Sequence, residues 1–395
     1  MSTKVLTAPA ARLWSRSFIF IMVANALLFM VFEMMLPTLP LFVSKLGGGA
    51  SQVGLVTGIF MFSAILIRPF TAKLAAKFDK KYLLLTGLAI CALMTGAYYL
   101  STSIGMILVF RVLHGLGFGL ATTYFATLAT ASIPKERRGE GLGYFGVGET
   151  VAVSVGPLIG TAILMRYDFG NLFFGGAFIL LLAVLMTAFI SRKPQADAES
   201  EAVHGEAKVK LIERKVLFPS LLILLVGIAA GSIMSFIALY AAEKGFGAVA
   251  WFFFIVAAAS FAVRLVSGKM FDRFGPGSVL VPSAFFMIAG IGLLTLAGNE
   301  AMFLLSAVLY GLGFGAVFPA IQTWCVNLVG EHEHENAMAS FFNFFDLGIG
   351  GGAMILGLIA SAFSYELVYD VAIAVMVVYL LLYAGYAIRN RKKRV

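Results

Sequence analysis

Apolar runs of roughly 20 residues or more, separated by short polar turns, follow one another from residue 18 almost to the end of the chain. They read as 18–43, 52–76, 82–100, 104–130, 140–164, 172–190, 217–241, 248–271, 278–298, 301–329, 337–363 and 367–388. A helix rises about 1.5 Å per residue, so each run is long enough to cross a hydrocarbon layer about 30 Å thick. Almost none carries the polar face, recurring every 3.6 residues, that a helix on a water-soluble protein needs. The pattern predicts an all-α membrane protein with twelve transmembrane helices, six in each half.

A repeat runs through this pattern. Gly-Leu-Gly-Phe-Gly occurs at 115–119 and again at 311–315, an offset of 311 − 115 = 196 residues. The same offset carries Arg68 onto Arg264 and Gly156 onto Gly352. Two copies of one unit in so apolar a chain point to a transporter whose pseudo-symmetric six-helix bundles enclose a central cavity. The long polar segment 191–216 lies between spans six and seven and mixes Asp197, Glu199, Glu201 and Glu206 with Lys and Arg. It reads as a solvated, partly disordered linker. The expected organisation is an N-terminal bundle over 1–190, a cytoplasmic linker over 191–216 and a C-terminal bundle over 217–395. Gly139, Gly141, Gly143, Gly146, Gly148, Gly156 and Gly160, and in the second half Gly350, Gly351, Gly352 and Gly357, are spaced for close helix contact in lipid.

Charge gives the orientation. Of 29 Lys and Arg, 23 fall on the side that holds both termini. Three (Lys45, Arg166 and Lys244) fall on the other side, and three (Arg68, Arg111 and Arg264) lie inside apolar stretches. Basic loops stay cytoplasmic, so both termini are expected inside a multi-pass protein of the cell (inner) membrane. The net charge of +9 is then a topology signal, and a nucleic-acid partner is not expected. The tail Arg391-Lys392-Lys393-Arg394 suits anionic headgroups. With 61% hydrophobic and only 12% charged residues, an ordinary soluble domain is excluded. Cys91 and Cys325 show neither pairing nor metal spacing. The first apolar run is too long for a cleavable signal and continues into Pro37 and Pro40. Glu331-His332-Glu333-His334-Glu335 looks like a metal-binding tract but sits in an inner loop, where a solvated connection is the simpler reading. No nucleophile–base or metal constellation is present, so neither an enzyme nor a cofactor is expected.

Charges inside the membrane are costly, about 2.5–3.5 kcal/mol each on insertion scales, and mark candidate sites. Glu33 lies roughly 15 Å and Arg111 roughly 10 Å from the outer end of its span, so an ion pair between them is feasible. A carboxylate whose arginine partner moves during a cycle would load and release a proton. The alternative is a permanent pair that only fixes helix packing. Glu149 shares a helix face with Phe145, Val153, Gly156 and Gly160. Asp346 stands one residue out of register with it, because the repeat maps 149 onto 345. Either acid would bind a cationic substrate, carry the proton, or merely hydrogen-bond in the packing. Arg68 and Arg264 sit near the inner span ends, either snorkelling to headgroups or contacting helix ends across the halves as gate residues. His114 is a titratable or a neutral packed residue.

Phe29 and Phe32 flank Glu33, Phe118 and Phe125 follow Arg111, and Phe341, Phe342, Phe344 and Phe345 surround Asn343. With Asn25, His114, Gln322 and Trp324 they would line an aromatic cavity for amphipathic or cationic molecules.

Three motifs carry a resemblance. Ala72-Lys73-Leu74-Ala75-Ala76-Lys77-Phe78-Asp79-Lys80-Lys81 and Gly268-Lys269-Met270-Phe271-Asp272-Arg273-Phe274-Gly275 follow spans two and eight. Arg111-Val112-Leu113-His114-Gly115 lies in span four, and Gly148 leads through Gly156-Pro157 to Gly160 in span five. Over nearly its whole length the chain resembles the major facilitator superfamily, and within it the twelve-helix drug:proton antiporters. The loop signature implies an inner-gate latch at Asp272 and Arg273, whereas Ala76 replaces the acidic residue of the first copy. The glycine–proline pair, Gly156 and Pro157, implies export. The resemblance thus implies a monomeric, proton-coupled efflux transporter working by alternating access on small molecules. A permease dedicated to one metabolite (a sugar, an amino-acid derivative or a metallophore) and a non-transporting sensor or scaffold are the alternatives.

Overall fold

The computed structural model describes residues 13–134, 137–190, 213–330 and 333–392. Most of the expected linker, together with Glu331, His332 and, in the basic tail, Lys393 and Arg394, lies outside the described residues. Twelve long helices appear among those described. In the first half they are α1 (Arg16–Lys45), α2 (Ala50–Ala75), α3 (Lys80–Ala97), α4 (Ile104–Ser132), α5 (Arg138–Arg166) and α6 (Phe169–Ala188). The second half supplies α7 (Leu217–Lys244), α8 (Val249–Phe274), α9 (Gly277–Thr295), α10 (Glu300–Asn327), α11 (His334–Ala362) and α12 (Tyr365–Lys392). Each apolar run therefore becomes one helix, and eleven of the helices satisfy length and hydropathy for a membrane crossing over their described residues. The twelfth, α5, is apolar over its second part, Val155–Arg166. Pro37 and Pro40 do not end α1, which continues to Lys45.

The repeat is visible in the packing. In the first half α1 packs on α5 and α6, α4 packs on α2 and α3, and α3 packs on α6. In the second half the equivalent helices do the same: α7 on α11 and α12, α10 on α8 and α9, α9 on α12. The doubled glycine motif makes this possible. A Cβ on Gly115 would run into the Phe60 carbonyl oxygen, and one on Gly311 would stand 2.7 Å from that of Val256. A Cβ on Gly117 would meet Gly87 and Ile90, and one on Gly313 would meet Ser283 and Met287. Phe60 with Val256, and Gly87 with Ser283, are again 196 residues apart. The outer glycines of the motif thus seat the central helix on α2 or α8, and the middle one seats it on α3 or α9. Not every glycine works this way: Gly146 and Gly351 have open space where a side chain would be.

Between the halves, α2 packs along α11, α5 along α8, and α1 and α2 against α7. The α2–α11 seam is closest on the face away from the chain termini. A Cβ on Gly54 would collide with the Ala353 carbonyl oxygen, and one on Gly357 would stand 2.6 Å from that of Ala50. The Ser51 amide donates to Ser361 Oγ at 2.8 Å, and Ser235 Oγ donates to Thr57 Oγ1 at 3.4 Å. Among the described residues α4 and α10 share no comparable packed face.

Candidate functional site

Glu33 is held where α5 rides on α1. A Cβ on Gly156 would stand 2.5 Å from the Glu33 Cβ, and one on Gly160 would be 2.6 Å from the Met34 carbonyl oxygen. These glycines bring the helices close enough to bury Glu33, which is 5% exposed. Its Oε2 has no hydrogen-bond partner among the described residues. Two turns along α1, Asn25 Nδ2 donates to Glu149 Oε1 on α5 at 3.0 Å.

The third acid is arranged differently. Asp346 Oδ2 on α11 accepts from Arg68 Nη2 on α2 at 2.8 Å, and Arg68 Nη1 donates to Asn343 Oδ1. The one-residue slip between Glu149 and Asp346 accounts for the difference, because one residue turns a side chain by about 100° around a helix. Position 345, the strict counterpart of Glu149, is Phe345, and it packs on Phe314 and Phe318 within the second half. Asp346 instead faces the opposite half, where Arg68 holds it.

Arg111 does not pair with Glu33. No carboxylate lies within ion-pair distance of it among the described residues; its guanidinium sits 4.7 Å over the Phe60 ring and 5.8 Å from the Tyr98 ring. Depth along two helices was compatible with the pair, but depth does not fix the direction in which each side chain leaves its helix. Arg111 Nε and Nη1 have no hydrogen-bond partner among the described residues, whereas His114 is occupied. Its Nδ1 lies 2.9 Å from the Tyr98 hydroxyl, its ring meets Phe60 edge-on, and it is 1% exposed. Arg111, His114, Phe60 and Tyr98 form one packed cluster inside the first bundle.

Further aromatic rings pack against that cluster. Phe118 touches Phe29, Phe32 and Phe60 at centroid distances of 4.7–5.5 Å. In the second half Phe318 packs edge-on against Phe341 and Phe345.

A sequence model described as the Major Facilitator Superfamily matches residues 21–353 and, in a second placement, 220–395. The chain belongs to this superfamily. It is similar to the multidrug resistance protein MdtG of Enterobacter lignolyticus, with 29% identity over 95% of this chain and 93% of that protein. MdtG of Citrobacter koseri is 30% identical over 92% of each chain. Among solved structures, a bacterial homologue of the human lysosomal transporter Spinster in an inward-facing, unoccupied conformation superposes with a TM-score of 0.74. It shares 15% identity, with 97% of this chain and 98% of that chain covered. The nucleoside transporter NupG gives 0.72 at 14% identity, over 93% and 98%. At such identities the superpositions establish the major facilitator fold alone. The chain is a membrane transporter of that fold.

Within it, several expected site residues take other places. Arg264 does not cross the halves: its Nε donates to the Gly315 carbonyl oxygen at 3.0 Å, inside the second bundle. Arg68 does cross them, to side chains rather than to a helix end. Trp324 packs among Phe218, Tyr383 and Tyr386 and adds no polar reach to the cavity, while Gln322 is half-buried. Asp272 is exposed, and Arg273 lies 5.1 Å over Phe274. Asp79, in the degenerate first copy of the loop motif, caps α3 by accepting from the Lys81 amide at 2.7 Å. Pro157 sits inside an unbroken α5. Of the acidic inner loop, Glu333 pairs with Lys215 at 2.6 Å. Sequence reasoning passed over Tyr98 and Tyr310. For Tyr310 the signal was available, since 310 − 114 = 196 places it at the position of His114.

Proposed function

We propose that this transporter exports small amphipathic or cationic compounds in exchange for protons, by alternating access. Glu33 carries the reading: a carboxylate buried at the junction of α1 and α5, with one oxygen unpartnered, is a proton acceptor with nothing else to do. Glu149, tied to Asn25, and Asp346, tied to Arg68 and Asn343, are the further acids that exchange proton for substrate. Phe29 and Phe118, with Asn25, Gln322 and Asn343, contribute the aromatic and polar walls. Relatives named multidrug resistance protein, aligned over more than nine-tenths of the chain, support efflux of this kind.

The proposed unit is a monomer of two bundles, 1–190 and 217–395, joined by a cytoplasmic linker, with both termini inside. The seam at Gly54 and Gly357 then closes the outer face, and the unpacked α4 and α10 mark the inner opening. Asp272 and Arg273, exposed and without an ion pair to the other half among the described residues, are the gate pair that would engage when the inner face closes.

Purified protein in liposomes, loaded with a pH gradient and offered a panel of amphipathic cations, tests the reading. Substrate-dependent proton flux is expected, and it should be lost in Glu33→Gln. Intact gradient-driven transport in each of Glu33→Gln, Glu149→Gln and Asp346→Asn would overturn the proton coupling.

A further inference from the structure

Arg68 and Arg264 occupy equivalent places on α2 and α8, and only Arg264 bonds within its own half. Its Nε donates to the Gly315 carbonyl oxygen at 3.0 Å. That carbonyl is available because the residue four places on is Pro319, which has no N–H to donate back along the helix. The counterparts in the first half are Gly119 and Thr123. Thr123 supplies a helical N–H, and its hydroxyl also donates to the Gly119 carbonyl oxygen at 2.8 Å. The Gly119 carbonyl is thus already engaged, and Arg68 reaches across to α11 instead.

There it enters a cradle. Asn343 and Asp346 are three residues apart on one face of α11, and they offer an amide oxygen and a carboxylate oxygen to the two Nη atoms of one guanidinium. Two acceptors placed for both arms of a planar fork suit a guanidinium or amidinium, whereas an ammonium is a single point charge. The repeat does not need this cradle, since the equivalent positions in the first half are Val147 and Thr150. Arg68 also leaves α2 away from lipid. Phe62, Leu66 and Phe70 form the exposed stripe of α2 at four-residue spacing, and two residues beyond Leu66 turn a side chain by about 200°. Arg68 and Asp346 keep 15% and 13% of their side chains exposed, so the pair can be reached.

We propose that Asn343 and Asp346 form the head-group subsite for cationic substrates, and that Arg68 is a tethered stand-in for that head group. The substrate class is an apolar body carrying a guanidinium or amidinium group. The inference rests on the proposed reading of Asp346 as a substrate-facing acid. A substrate entering from the open face displaces Arg68, takes over the charge on Asp346 and cuts the tie between α2 and α11. Binding and release of the halves become one event, because substrate and Arg68 compete for one place.

The test uses benzylguanidinium as probe and benzylurea, of similar shape without the charge, as control. Binding to the purified full chain in detergent is measured by titration calorimetry. A tethered competitor lowers apparent affinity in proportion to the time it occupies the site, so Arg68→Met is expected to bind the probe at least about tenfold more tightly than the native chain. It should gain nothing for benzylurea, and adding Asp346→Asn should abolish the gain. Arg68→Lys keeps the charge but loses the fork; it covers the case in which Arg68→Met does not fold, and should bind the probe at least about threefold more tightly than the native chain. Native affinity in either variant, a gain that survives Asp346→Asn, or an equal gain for benzylurea overturns the proposal. All of these are read as binding without a pH gradient. Absent proton flux in liposomes would defeat the antiport reading and leave the affinities as they are.

Discussion

Arg68 and Asp346 form an ion pair that crosses from one half of the transporter to the other, at 2.8 Å and with only 15% and 13% of their side chains exposed. Because α2 and α11 run antiparallel, this tie lies on the terminal side of the glycine seam formed by Gly54 and Gly357. The seam and the ion pair are thus two attachments at different depths along the same pair of helices. Removing one partner leaves the other as an uncompensated charge in a poorly solvated place, a loss of about 3–5 kcal/mol for a fully buried pair and less at this exposure. Arg68→Met is expected to lower the unfolding midpoint in detergent and to stop transport. The reversed pair, Arg68→Asp with Asp346→Arg, should recover most of the midpoint. Thermal unfolding followed by intrinsic fluorescence measures both, and a midpoint unchanged in Arg68→Met would show that the pair contributes nothing.

The Asn25–Glu149 bond sits inside the first half, and its loss should be felt only through the carboxylate. Asn25→Ala is expected to reduce gradient-driven transport about tenfold, the equivalent of one hydrogen bond to a charged group. Added to Glu149→Gln, the same change should cost little more. A double-mutant comparison of initial rates decides it; additive losses would separate the two residues.

Bulk added to the α2–α11 seam should favour the opposite state. Gly54→Val places side-chain carbon against the Ala353 carbonyl oxygen and 3.2 Å or less from the Gly357 Cα, and such overpacking costs about 1–3 kcal/mol. Since the close contact exists only while the far face is shut, Gly54→Val should populate the outward-open form. Reaction of a cysteine placed at Thr57 with a membrane-impermeant thiol reagent added from outside should rise several-fold. No rise would mean that the seam yields without opening.

One acid outside the membrane spans gives a pH dependence. Asp168, the N-cap of α6, accepts from the Asn171 amide at 2.9 Å, and this bond holds its carboxyl below the usual range. A lowered folded-state value means that its stabilisation is fully present above about pH 4, the ordinary Asp value, and is lost as pH falls through the depressed value. Asp168→Asn retains the cap and should flatten this part of the acid-unfolding curve, whereas Asp168→Ala should lower stability at neutral pH as well. Equal acid profiles for all three proteins would remove Asp168 from the balance.

The twelve helices were legible because each is a single apolar run, and the pairing of the bundles was legible because the repeat is in register at glycines that backbone contact requires. The partners of the charges were not. Glu33 and Arg111 match in depth, but Arg111 leaves α4 toward Phe60 and Tyr98, and no spacing along one helix reports the azimuth of a side chain on another. Arg264 and Arg68 are equivalent in sequence and part company in space. Arg264 reaches the Gly315 carbonyl beside it, while Arg68 finds Asp346, whose displacement by one residue from the repeat turned it toward α2.

The glycines at 115, 117, 119, 311, 313 and 315 have a mechanical consequence. At these glycines the central helix meets backbone, or a single side chain such as Ile90 or Met287, so little there can re-pack, and α2, α3 and α4 are expected to travel together, as are α8, α9 and α10. Each bundle would then act as a lever, with the acids near its middle and the loop carrying Lys73 or Lys269 at its end. In a bundle that rocks as one body, a small adjustment at the cavity end would become a larger displacement at the membrane surface.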